Sequence, residues 1–134
     1  MSNLLLIVDD NRVCSDVLAA YFRHRGYRTT VARDGIEGLA TAGRERPDLI
    51  LLDIAMPHMD GLQFLEALRG SADARADTPV IVTTAVTDET VRRRAAELGV
   101  AGYTVKGLCS LHEIYQLVST QVGPALATPM RAAG

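Results

Sequence analysis

Five short strand-like runs punctuate the chain: Leu4–Val8, Thr29–Ala32, Leu49–Leu52, Val80–Thr84 and Gly102–Val105. Between them, apolar residues recur at the three- and four-residue spacing of a helix face. Val13, Val17, Leu18 and Tyr21 form one stripe, Ile36, Leu39 and Ala40 a second, and Leu62, Leu65 and Leu68 a third. Val91, Ala95 and Leu98 form a fourth, and Leu111, Ile114, Leu117 and Val118 a fifth. Cys14 falls on the first stripe and is expected in the core. Five strand-then-helix units predict a parallel sheet with helices on both faces, an α/β fold. Leu49–Leu52 is apolar at every position, as a strand covered on both faces must be.

The ends of the predicted helices carry their own signals. Asp34 with Glu37, Asp60 with Gln63, and Ser110 with Glu113 have capping-box spacing. Gly26, Gly70 and Gly99 stand where a left-handed C-cap residue belongs. Pro47 and Pro79 precede strands, where they stop helices. The pattern ends near Val122, and Gly123-Pro124 closes the last helix. The expected organisation is one domain over residues 1–122 and a flexible tail over 123–134.

Composition narrows the function classes. The chain is 48% apolar and 22% charged, with a net charge of −2 and no basic block. That gives no electrostatic footprint for nucleic acid. No apolar run reaches the roughly 18–20 residues that span a bilayer, and the N-terminus does not read as a signal peptide. Cys14 and Cys109 lack metal-type spacing and are expected to be free thiols of a cytoplasmic protein.

Candidate chemistry collects after the strands, where open parallel sheets bind their ligands. Asp9-Asp10 follows the first strand and Asp53 the third; Thr83-Thr84 ends the fourth, and Lys106 follows the fifth. Singly, each has a plain reading. An Asp there caps a helix, a Thr suits a strand, and a Lys is a solvated surface group. Four of five strands delivering such groups to one edge is a stronger pattern.

These residues resemble the receiver domains of two-component response regulators, a likeness covering most of residues 4–122. Its pieces are Val8-Asp9-Asp10, the run Leu52-Asp53-Ile54-Ala55-Met56-Pro57-His58-Met59-Asp60-Gly61, then Thr84-Ala85 and Gly102-Tyr103-Thr104-Val105-Lys106. The resemblance implies a doubly wound, flavodoxin-like sheet of order 2-1-3-4-5, which makes the first and third strands neighbours. It also implies a phosphoacceptor at Asp53, with Lys106 and Thr84 as its charge and hydrogen-bond partners. Mg²⁺ is expected on Asp10, Asp53 and the Ala55 backbone carbonyl, and on Asp9 partly through water; an oxygen-only set suits that ion. Thr84 and Tyr103 would form the switch, changing the face of helix 4, strand 5 and helix 5.

The implied partners are a sensor histidine kinase or histidine phosphotransfer protein and a downstream protein at that face. Neither His58 nor His112 is given a catalytic role. Arg92, Arg93 and Arg94 read as a solvated face of the fourth helix. With no output module in the chain, a single-domain, chemotaxis-type regulator is expected; a receiver fragment and a phosphate-independent adaptor are the alternatives. A Mg²⁺-dependent hydrolase is disfavoured, because Ala55 stands where a second acid–base carboxylate belongs.

Two departures from the family pattern matter. Gly107 follows Lys106, where the family usually has a cis proline. A cis bond to a non-proline residue costs about 2.5–4 kcal/mol, so Lys106–Gly107 is expected to be trans, or cis and strained. Ala55 and Val86, two residues after Asp53 and Thr84, cannot orient a water, which predicts slow self-dephosphorylation.

Overall fold

The computed structural model describes residues 3–56 and 59–123. Pro57, His58 and the expected tail from residue 124 lie outside the described residues. Strands β1 (Leu4–Val8), β2 (Arg28–Ala32), β3 (Leu49–Leu52), β4 (Val80–Thr84) and β5 (Gly102–Val105) alternate with helices. These are α1 (Arg12–His24), α2 (Gly35–Glu45), α3 (Gly61–Arg69), α4 (Glu89–Glu97) and α5 (Leu111–Val122). The strands form one parallel sheet of order β2-β1-β3-β4-β5, as the resemblance implied.

Alternation along each strand divides the core into two layers. Leu6, Val8, Ile50, Leu52, Val80 and Val82 face α2, α3 and α4, where Phe64, Leu65, Leu68 and Ala95 fill the space. Leu5, Ile7, Leu49, Leu51 and Ile81 face α1 and α5, against Leu18, Phe22, Ile114 and Val118. The central strands are therefore apolar at successive positions.

Two helix faces differ from the predicted stripes. In α1 the buried residues are Ser15, Leu18, Ala19 and Phe22, whereas Val13 is 72% exposed and Val17 47%. Cys14, expected in the core, is only half-buried. In α2 the buried residues are Gly35, Gly38, Thr41 and Ala42, and Ile36 faces solvent. A Cβ on Gly38 would lie 2.9 Å from Phe64 and 3.1 Å from Val8. Close approach, not hydrophobicity, chooses that face, so an apolar-stripe reading misses it.

The capping signals are realised with one shift. Asp60–Gln63 and Ser110–Glu113 form complete boxes. Asp34 caps α2 by accepting from the Glu37 N–H, but the Glu37 carboxylate accepts from the Arg33 N–H rather than from Asp34. Gly26 and Gly99 have positive φ, whereas Gly70 has φ −87° and leaves α3 through ordinary bonds back into the helix. The left-handed position after α2 is taken by Arg46 at φ 51°.

Candidate functional site

Register places the acidic residues. Val8 pairs with Leu52, so Asp9 and Asp53 leave adjacent strands side by side, and the Asp53 N–H donates to the Val8 carbonyl at 2.9 Å. Asp9 and Asp53 are buried, while Asp10 is exposed. Carboxylate oxygens of all three lie within 4.8 Å of one another. Asn11, the N-cap of α1, donates its own N–H to Asp9 at 2.8 Å, and the Ala55 N–H donates to Asp53 at 3.1 Å.

Thr84 pairs with Val105, and the Lys106 N–H donates to the Thr84 carbonyl at 2.8 Å. The lysine stem then reaches back across β4. Its Nζ sits 3.0 Å from Asp9 Oδ2 and 3.1 Å from Asp53 Oδ2, bridging the two buried carboxylates. Burial pushes the Asp9 carboxyl above its usual range, against the opposing pull of the Asn11 N–H and Lys106. Burial alone would lower Lys106, but its bonds and charges with Asp9 and Asp53 outweigh that and raise it.

Among the described residues, one ammonium bridges two of the three carboxylates, which leaves the cluster short of positive charge. The donor set is oxygen only and partly open to water through Asp10. Both features fit a hard divalent cation that keeps part of its own hydration.

Thr84 is buried, and its Oγ1 accepts from the Val86 N–H at 3.3 Å. Tyr103 is half-buried, and its hydroxyl donates to the Val86 carbonyl at 2.9 Å. One residue, Val86, thus joins the two expected switch residues through its N–H and its carbonyl, and only the folded chain reveals it. Arg92 lies over the Tyr103 ring at 5.6 Å, and Arg94 pairs with Glu66 and Glu97, so two of the three arginines have partners within the chain. His112 is exposed and stacks on Tyr115; His58 lies outside the described residues.

The Lys106–Gly107 bond is trans, one of the two outcomes expected for it, and Gly107 takes φ +89°, a left-handed value that suits glycine. Gly61 was legible as part of the Asp60-Gly61 pair, but its role was not. A Cβ there would lie 2.5 Å from the Ile54 Cα and 2.8 Å from the Asp53 carbonyl oxygen. Glycine at 61 lets α3 start directly behind Asp53.

The family model described as the response regulator receiver domain matches residues 5–119. The chain belongs to that family. The receiver is similar to the transcriptional activator protein PfeR of Pseudomonas aeruginosa, at 46% identity over 103 residues, covering 77% of this chain and 32% of that protein. The Regulator of RpoS of Escherichia coli is 34% identical over 122 residues, covering 91% of this chain and 35% of that protein. The receiver therefore spans about a third of the length of these curated relatives. Among solved structures, chemotaxis protein CheY4 of Vibrio cholerae superposes with a TM-score of 0.81 at 26% identity, covering 90% of this chain and 99% of that one. A response regulator receiver protein from Pseudomonas putida gives 0.83 at 28% identity, covering 90% and 98%. No helix among the described residues is long and apolar enough to cross a membrane.

Proposed function

We propose that this receiver accepts a phosphoryl group on Asp53 from a histidine kinase or histidine phosphotransfer protein, in the cytoplasm, and signals through protein contacts. The observation that carries the reading is the Lys106 ammonium bridging buried Asp9 and Asp53. A carboxylate oxygen of Asp53 attacks the phosphorus, the N–P bond breaks, and its electron pair returns to the donor imidazole. Phosphoryl transfer needs positioning and charge neutralisation above all. Lys106 supplies a mobile point charge, and the Thr84 hydroxyl donates to a phosphoryl oxygen. Asp10, Asp53 and the Ala55 carbonyl, with Asp9 through water, are the residues to hold Mg²⁺, which when bound neutralises charge on the transferring group.

Occupancy at Asp53 draws on Thr84, and through Val86 on Tyr103, so the α4–β5–α5 face reports the event. The phosphoryl group shifts the equilibrium between the resting and active arrangements only by its difference in affinity for the two. The protein is a signalling domain, and its self-dephosphorylation is slow because Ala55 and Val86 offer no polar side chain to a water. An Ala55→Asn change shortens the phosphoryl lifetime; an unchanged or longer lifetime contradicts this.

The test incubates the protein with Mg²⁺ and phosphoramidate and compares it with Asp53→Asn by intact-mass spectrometry. A single phosphoryl adduct that vanishes in the variant is expected. No adduct, with none from any histidine kinase either, favours the phosphate-independent adaptor.

A further inference from the structure

Cys14 and Cys109 stand near opposite ends of the chain, yet both line one pocket of about 240 Å³ between α1 and the segment entering α5. Val13, Val17 and Leu18 form its α1 wall; Lys106 and Gly107 stand on the other side. Both thiols are free and half-exposed, and the phosphoacceptor chemistry uses neither. The segment carrying Cys109 begins at Gly107, where a Cβ would meet nothing within 4 Å. The pocket's open space lies between that segment and α1.

We propose that Cys14 and Cys109 are a redox-active dithiol, oxidised to an intramolecular disulfide by a low-molecular-weight disulfide such as oxidised glutathione. One cysteine thiolate attacks a reagent sulfur, the reagent S–S bond breaks, and one thiol leaves. The second cysteine thiolate attacks the mixed disulfide, closes the Cys14–Cys109 bond and releases the second thiol. The protein loses two electrons and two protons, and the reagent gains both. Closure brings the two Cα atoms to about 5.5–6 Å, within the range such bonds adopt.

The bond ties α1, just after Asp9 and Asp10, to the segment that starts at Lys106. Lys106 is then held at Asp9 and Asp53 and cannot follow an arriving phosphoryl group. This consequence rests on the phosphoacceptor reading above; the thiol chemistry does not.

The test treats the full chain with oxidised glutathione and reads intact mass, free thiols and non-reduced peptides. The expected result is loss of two hydrogens, no free thiol and one peptide pair joining Cys14 to Cys109. Cys14→Ser and Cys109→Ser should each instead retain a single glutathione. Two stable glutathione adducts on the native protein, unreacted thiols, or a bond between two molecules overturns the proposal.

Phosphoramidate labelling then reads the consequence. Oxidised protein should lose label and regain it after dithiothreitol, while the Cys14→Ser/Cys109→Ser double variant ignores the oxidant. Equal labelling before and after disulfide closure overturns the regulatory part. If reduced native protein takes no label at Asp53, the phosphoacceptor reading has failed, and the thiol counts still decide the dithiol.

Discussion

The two rims of the sheet solve the same problem in opposite ways. At the N-terminal rim, polar groups end on backbone partners within the fold. Arg69, at the end of α3, donates to the carbonyls of Leu98 and Thr78 at 2.7 Å and of Ala76 and Gly99 at 3.2 Å. The Tyr27 hydroxyl donates to the Gly123 carbonyl at 2.9 Å, Asn3 donates to the Val122 carbonyl, and Asp48 accepts from the Leu4 N–H. At the C-terminal rim, Asp9, Asp10 and Asp53 crowd together and, among the described residues, Lys106 alone bridges the two buried ones. One end is closed by the chain itself. The other is left short of positive charge, and that shortage is what a cation and a phosphoryl group can relieve. Polar groups at the first rim hold the fold together; at the second they strain it.

Substitutions that remove one charge from each rim should therefore move stability in opposite directions. The largest effect is expected at Arg69→Met, which keeps the stem but leaves four carbonyls without their donor. A loss of about 2–3 kcal/mol in urea unfolding follows, with phosphoryl uptake of the folded protein unchanged. A loss below the error of the measurement would break the contrast. Gly61→Ala comes next. Its Cβ meets backbone atoms of Asp53 and Ile54, which cannot give way as a side chain can, so about 2 kcal/mol is lost, and uptake falls because the loop behind Asp53 shifts. An alanine variant as stable and as readily labelled as the native protein would show that the loop has slack.

Asp10→Asn has a smaller effect of opposite sign. Without divalent cation it should stabilise the protein by at most about 1 kcal/mol, because Asp10 is exposed and water screens its repulsion of Asp9 and Asp53. Destabilisation by the same substitution would contradict the charge shortage. A further difference appears only at alkaline pH. Burial, helped by Tyr115, pushes Tyr27 up to about 12. Above its ordinary value of 10.0 the unfolded chain has released this proton while the folded one keeps it. Stability then falls as pH rises through that window, and Tyr27→Phe flattens the fall. Denaturant midpoints across the window check it.

Much of this contrast was readable in the chain before folding. The order of strands and helices followed from periodicity, and the acidic rim from asking what stands after each strand. What escaped were features fixed by close approach and by backbone partners. Gly38 decides which face of α2 is buried because Phe64 and Val8 need the space, and no hydrophobicity scale records that. Val13 and Val17 have core-like side chains but lie off the 15-18-19-22 face of α1. Arg69 and Tyr27 had no sequence signal at all, since their acceptors are carbonyls that only the folded chain gathers. Asn11 had one, as a capping residue type just before a helical stripe, and its N–H to Asp9 ties that cap to the site.

The most direct test of the charge shortage is a Mg²⁺ titration of unfolding stability in the native protein and in Asp10→Asn. A saturating gain is expected in the native protein, about 2.7 kcal/mol once Mg²⁺ reaches a hundred times its dissociation constant, and a much smaller gain in the variant. No gain in the native protein, or the same gain in both, would contradict it.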